Sequence, residues 1–97
     1  MKNFPKKYKI GDILLLEWFD AYTAAHGWVD PKTLKDQNAC QCFSIGLFIG
    51  KTQEGDILLA GSWDTKNIVT EGTVNNVSGR PLGMIQKVTL IRKGKKS

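Results

Sequence analysis

The sequence predicts an all-β domain: a small, strongly bent, five-stranded antiparallel barrel with one short helix. Three observations predict it. Five short runs have strand character, at residues 13–21, 42–50, 57–63, 71–77 and 85–91. Tight turns rich in Gly, Asn and Asp separate several of them. A single helical turn, opened by Pro81, precedes the last strand. Bent barrels of this size manage their open edges by closing, or by pairing edges between subunits.

Each element has its own reason. In residues 13–21 the alternate sets Ile13, Leu15, Glu17, Phe19 and Leu14, Leu16, Trp18, Asp20 are both largely apolar, which suits a strand covered on both faces. The second run alternates between a bulky set, Phe43, Ile45, Leu47 and Ile49, and a smaller one, Cys42, Ser44, Gly46 and Phe48. The bulky set is expected in the core, and the small set where another strand, a subunit or a ligand approaches closely. A turn around Glu54-Gly55 returns the chain into the third strand. The fourth, "EGTVNNV", is weaker, with glycine near one end and asparagines inside, and "SGRPLGMI" after it reads as a turn. Between the first two strands, Asp30-Pro31 reads as an N-cap and a helix-starting proline, followed by "KTLKD" as a helix of one or two turns. An SH3-like or Sm-like barrel fits this order best.

Ninety-seven residues make one domain, 1–97, with short basic N- and C-terminal tails. No apolar run reaches the roughly 20 residues a membrane span needs. The start "MKNFPKKYK" lacks a signal peptide's apolar stretch, so a cytosolic protein without membrane contact is expected. The net charge of +5 is divided unevenly. Eight of the 14 basic residues lie at the two ends, at Lys2, Lys6, Lys7, Lys9, Arg92, Lys93, Lys95 and Lys96. The body from residue 11 to 91 keeps 6 basic against 9 acidic residues, a net of −3. The high pI therefore belongs to the ends, which serve solubility or steer anionic ligands or RNA. Cys40 and Cys42, two apart on one strand, are badly placed for a mutual disulfide, and with one histidine they are too few for a zinc site. Reduced, buried thiols are expected, and no metal or cofactor.

Candidates for catalysis are few. His26 sits beside Gly27 in a turn with no nucleophile partner, Ser44 has no nucleophile-elbow context, and there is no P-loop or paired-carboxylate motif. The chain reads as a non-enzyme. Binding has better candidates. Trp18 and Trp28 with Tyr22 offer flat faces for stacking on nucleobases, although a tryptophan in so small a domain is as readily a core plug. Asp20 either starts a turn or accepts from a base's exocyclic amine, and His26 caps the same loop. Thr65 and Asn67, in "SWDTKN", are donors suited to a phosphate, or simply turn residues. Arg80, before Pro81, is either a solvated loop arginine or the fixed cation for that phosphate.

The order of motifs resembles a family of small phage-encoded β-barrel proteins. It has a Trp-x-Asp-Ala at Trp18, Asp20 and Ala21, a Gly-Trp at Gly27 and Trp28, and a Cys-x-Ser-x-Gly strand at Cys42, Ser44 and Gly46. Leu59, Ala60 and Ser62 match an "LA-x-S" strand, and Pro81 and Ile85 an "IP" turn, so the resemblance runs from about residue 10 to 91. A glycine parts the usual alanine-serine pair, Arg80 replaces the usual isoleucine before proline, and residues 63–79 are atypical.

The resemblance implies an anti-CBASS nucleotide sponge. Such a protein binds and hides a cyclic dinucleotide signal, for example of the 3'3'-cGAMP type, without hydrolysing it. It implies a homo-oligomer, dimer or tetramer, with pockets at subunit interfaces, acting in the cytoplasm of the infected bacterial host. Trp18, Asp20, Tyr22, His26, Trp28, Thr65, Asn67 and Arg80 would be its ligand-binding residues. Two other readings compete. An Sm-like RNA-binding module would use the basic ends and bind with steep salt dependence. A phage structural or host-protein-blocking module would use the small strand face and the aromatics as a protein interface.

Overall fold

The computed structural model describes residues 1–20, 28, 30–34, 40–64 and 71–94. It contains five antiparallel strands: β1 (Ile13–Asp20), β2 (Cys40–Lys51), β3 (Ile57–Trp63), β4 (Val74–Arg80) and β5 (Ile85–Arg92). They form one open sheet in the order β4-β3-β2-β1-β5. The all-β class and the antiparallel arrangement are as expected. Closure into a barrel is not part of the observed pairing, since β4 and β5 are the two sheet edges and pair only with β3 and β1. The helix expected after Pro31 is a 3₁₀ turn, Pro31–Leu34, with the Asp30 carboxylate accepting from the Lys32 amide at 3.0 Å. Among the described residues no helix is long and apolar enough to cross a membrane.

Most boundaries fall close to the sequence reading, with one shift. The fourth strand spans Val74–Arg80, not residues 71–77, so Ser78, Gly79 and Arg80 belong to a strand and not to a turn. Only Pro81 and the 3₁₀ turn Leu82–Met84 separate it from β5. The turn at Glu54-Gly55 is as expected. The Gly55 amide donates to the Thr52 carbonyl at 3.0 Å, and Gly55 takes a φ of 95° that a side chain would disfavour.

The core is built on the Leu14–Leu16 face of β1. Leu14, Leu16, Ile57 and Ile85 are completely buried, and Phe48 and Leu59 join them. Each fully buried aliphatic side chain contributes roughly 1.5–3 kcal/mol relative to exposure. Of the bulky set of β2 expected in the core, Leu47 is buried, but the first half of the set is not. Phe43 and Ile45, read as core residues, are 62% and 61% exposed. The register explains why. Leu14, Leu16 and Trp18 stand opposite Gly46, Ser44 and Cys42, so β1 supplies the bulk and β2 the space. Gly46 is held to this role, because a Cβ there would lie 2.7 Å from the Ala60 carbonyl oxygen.

The lysine-rich N-terminal segment is folded onto this core. Met1, Phe4 and Tyr8 pack against it, and the Phe4 ring lies 5.1 Å from that of Phe48. Asp12 is the clasp. Its carboxylate is only 2% exposed and accepts from the Lys9 amide at 2.9 Å and the Gly94 amide at 2.8 Å. The two basic ends of the chain, 82 residues apart at this bond, are thereby placed side by side.

Candidate functional site

Side chains alternate along a strand, so β4 directs Ser78 and Arg80 to one face, opposite Leu59 and Ile57 of the core. That is the face on which β1 carries Trp18 and β2 carries Cys42 and Ser44. In a flat sheet β4 and β1 would lie about 14 Å apart, three spacings of roughly 4.8 Å. The sheet is curled enough to bring their side chains into contact. The Arg80 guanidinium carbon sits 5.4 Å from the centroid of the Trp18 ring. Arg80 Nη2 donates to Ser44 Oγ at 2.9 Å, and Nη1 donates to Ser78 Oγ. Trp18 Nε1 donates to the same Ser44 Oγ at 2.9 Å.

This cluster is rich in donors. A serine hydroxyl has two acceptor lone pairs and one proton. Ser44 Oγ takes two donors, so both lone pairs are engaged and its proton is directed elsewhere. Arg80 Nε is buried and has no acceptor among the described residues. Burial pushes the guanidinium's pKa down, while Cys42 beside it pushes it back up. Arginine does not lose its proton in proteins, so Arg80 stays a partly buried cation. A guanidinium stacked on an indole is held in place by the ring's negative face, which leaves its outer edge oriented.

The expected site residues divide into three groups. Trp18 and Arg80 come together. Trp18 both packs on the core and presents its ring to the guanidinium. Arg80 is half-buried and fixed, not a solvated loop arginine. Trp28 is fully exposed, as a stacking surface requires, and the structure shows no contact joining it to the cluster. Asp20 closes β1 opposite Cys40, and its side chain lies outside the described set. Tyr22, His26, Thr65 and Asn67 also lie outside the described residues.

Two members of the cluster were missed. Ser44 is placed by its sequence on the small face of β2 but not among the ligand-binding candidates, and the register with β1 puts it beside Trp18. Ser78 was assigned to a turn. Extending the fourth strand by three residues would have shown that Ser78 and Arg80, two apart, share a face. Cys42 is a half-buried thiol and not the fully buried one expected.

Asp64 has a structural part. Its carboxylate accepts from the Thr73 amide at 2.7 Å and the Thr73 hydroxyl at 2.8 Å, tying the outer end of β3 to that of β4. Those bonds hold its pKa below the ordinary carboxylate value. Among the described residues no group of three or more His, Cys, Asp or Glu side chains could hold a metal ion. Comparison with protein-family models, curated proteins and solved structures gives no match for this chain.

Proposed function

We propose that this chain is a non-enzymatic binding protein that sequesters a cyclic dinucleotide, acting in the cytoplasm of a phage-infected bacterium as an anti-CBASS sponge. The observation that carries the proposal is the Arg80 cluster: a fixed, desolvated cation stacked on Trp18, flanked by two serine hydroxyls. A phosphodiester presents the charge and acceptor oxygens that such a donor set lacks. Exposed Trp28 adds a ring on which a base can stack. Sequestration needs tight binding and no turnover, which suits a site of donors without a general base. The motif resemblance points to the same ligand class.

The finer fold reading and the oligomer belong to this proposal. Only Pro81 and the 3₁₀ turn join β4 to β5, and this strand order in a curled sheet supports a partly open SH3-like barrel whose β5 edge stays unpaired among the described residues. Phe19, Phe43 and Ile45 are exposed on the face of β1 and β2 away from the core, and Ile91 is exposed on β5. Apolar exposure of that extent favours a covering partner, and a second copy of the chain supplies one. The same surface is what a host-protein-blocking module would use.

A thermal-shift panel tests the proposal: cyclic dinucleotides of varied bases and linkages, the matching linear dinucleotides, and a short oligo-uridine. Binding to the native state raises the midpoint as RT ln(1 + [L]/Kd). A rise with cyclic dinucleotides alone is the expected result. A flat panel would transfer the weight to a protein partner.

A further inference from the structure

We propose that the free edge of β5 is a second binding site, which takes an extended acidic peptide as an added β-strand. β5 is the outermost strand beside β1, and among the described residues no strand pairs with its other side. A cleft of about 490 Å³ runs there, lined by the consecutive residues 87–90 together with Lys7, Tyr8 and Lys93. Side chains on a strand point alternately to opposite faces, so a cleft touching four residues in succession follows the edge and not either face. The Tyr8 hydroxyl donates to the Val88 carbonyl at 3.2 Å, which shows that this carbonyl is turned toward the cleft. In an antiparallel ladder the N–H and C=O of one residue point to the same side, and alternate residues repeat the direction. The Val88 and Leu90 amides therefore face outward, in position to pair with an incoming strand.

Charge selects the partner. Lys7, Lys87 and Lys93 are all exposed around the cleft, and none of its lining residues is acidic. The concentration is a product of folding. The Asp12–Gly94 bond sets the two lysine-rich ends of the chain together, while the body between them is acidic on balance. An extended peptide with alternating glutamates meets both features, ladder bonds on the edge and carboxylates toward the lysines. Single-stranded nucleic acid fits less well, because it binds through exposed aromatic platforms. The one ring here, Tyr8, already carries Lys7 at 5.2 Å and Phe4 at 5.7 Å.

The test is an NMR titration of the full chain with an eight-residue peptide alternating glutamate and valine. The matching lysine-valine peptide and an eight-nucleotide oligo-uridylate serve as controls. The expected result is binding of the acidic peptide alone, with amide exchange at Val88 and Leu90 slowed at least tenfold. The exposed pair Lys87→Gln and Lys93→Gln, neutral so that no like charge is set opposite Glu17, should weaken it at least tenfold with a melting temperature close to the parent's. No binding at millimolar peptide overturns the proposal, as does binding without protection of those two amides. Tighter binding of the oligo-uridylate to the same lysines would overturn it in favour of nucleic acid.

Discussion

Arg80 and Trp18 lie on strands three places apart in the sheet, yet the guanidinium carbon stands 5.4 Å from the indole centroid. The contact joins one edge of the sheet to its interior and makes Arg80 a fixed group. Its direct cost to stability is modest, because a cation–π contact contributes about 0.5–2 kcal/mol. Its cost to binding should be larger. Arg80→Ala is expected to lower cyclic-dinucleotide affinity at least tenfold, with a melting temperature lowered by no more than about 10 °C and a fold that is kept. Arg80→Lys keeps the charge but loses the planar fork that stacks on Trp18 and spans Ser44 and Ser78, so it should recover only part of the affinity. Titration of the three proteins side by side checks both statements.

Asp12 should matter more to the fold than any other acid described. Asp12→Ala would leave the Lys9 and Gly94 amides without their acceptor at a buried site. Hydrogen bonds to charged groups contribute about 1.5–3 kcal/mol each, about 3–6 for the two, and water reaching these part-buried amides reduces the loss expected by urea unfolding to roughly 2–4 kcal/mol. Asp12→Asn, which keeps one acceptor oxygen, should cost less.

Two glycines separate close packing from open space. A Cβ on Gly46 would lie 2.7 Å from the Ala60 carbonyl oxygen and 3.1 Å from the Leu59 Cβ, whereas one on Gly83 would meet nothing within 4 Å. Gly46→Ala should destabilise by about 1–3 kcal/mol through overpacking. Gly83→Ala should be close to neutral. Equal effects by thermal melting would contradict the proposed closeness of β2 and β3 at this point.

Acid should loosen the outer end of the β3–β4 hairpin before the core. The pKa of Asp64 is lower in the folded chain than in the unfolded one, so its contribution is present above the ordinary aspartate value of about 3.9. That contribution is lost as pH falls through the depressed folded value. The protection factor of the Thr73 amide should therefore fall below about pH 4, while amides of Leu14 and Leu16 stay protected. Asp64→Asn should show the faster Thr73 exchange already at neutral pH.

The fold was legible where local signals agree with the tertiary demand. The third strand was read at its full extent because an apolar run is bounded by a glycine turn and a polar cluster. The facing of β2 was misread because its own alternation puts Phe43 and Ile45 on the more apolar side. The register with β1 decides instead, and register depends on which strand fills the core, a property of two strands together. The site was half legible. Trp18 and Arg80 stood out by residue type, but Ser44 and Ser78 are common residues whose meaning comes only from the curl of the sheet. Asp12 was invisible because its partners are backbone amides, one of them 82 residues away at Gly94.

The exposed face around Phe43 and Ile45 bears on the proposed oligomer. The pair Phe43→Ser and Ile45→Ser should shift the protein to a monomer in analytical ultracentrifugation while preserving its melting temperature. A parent chain that is monomeric at every concentration would remove this part of the account.

The central claim is best tested by calorimetric titration of 3'3'-linked cyclic GMP-AMP into the parent protein and Arg80→Ala, followed by chromatography of the recovered ligand. The account predicts saturable binding by the parent, at least tenfold weaker binding by the variant, and ligand recovered intact. No binding of any cyclic dinucleotide, binding indifferent to Arg80, or recovery of hydrolysed ligand would contradict it.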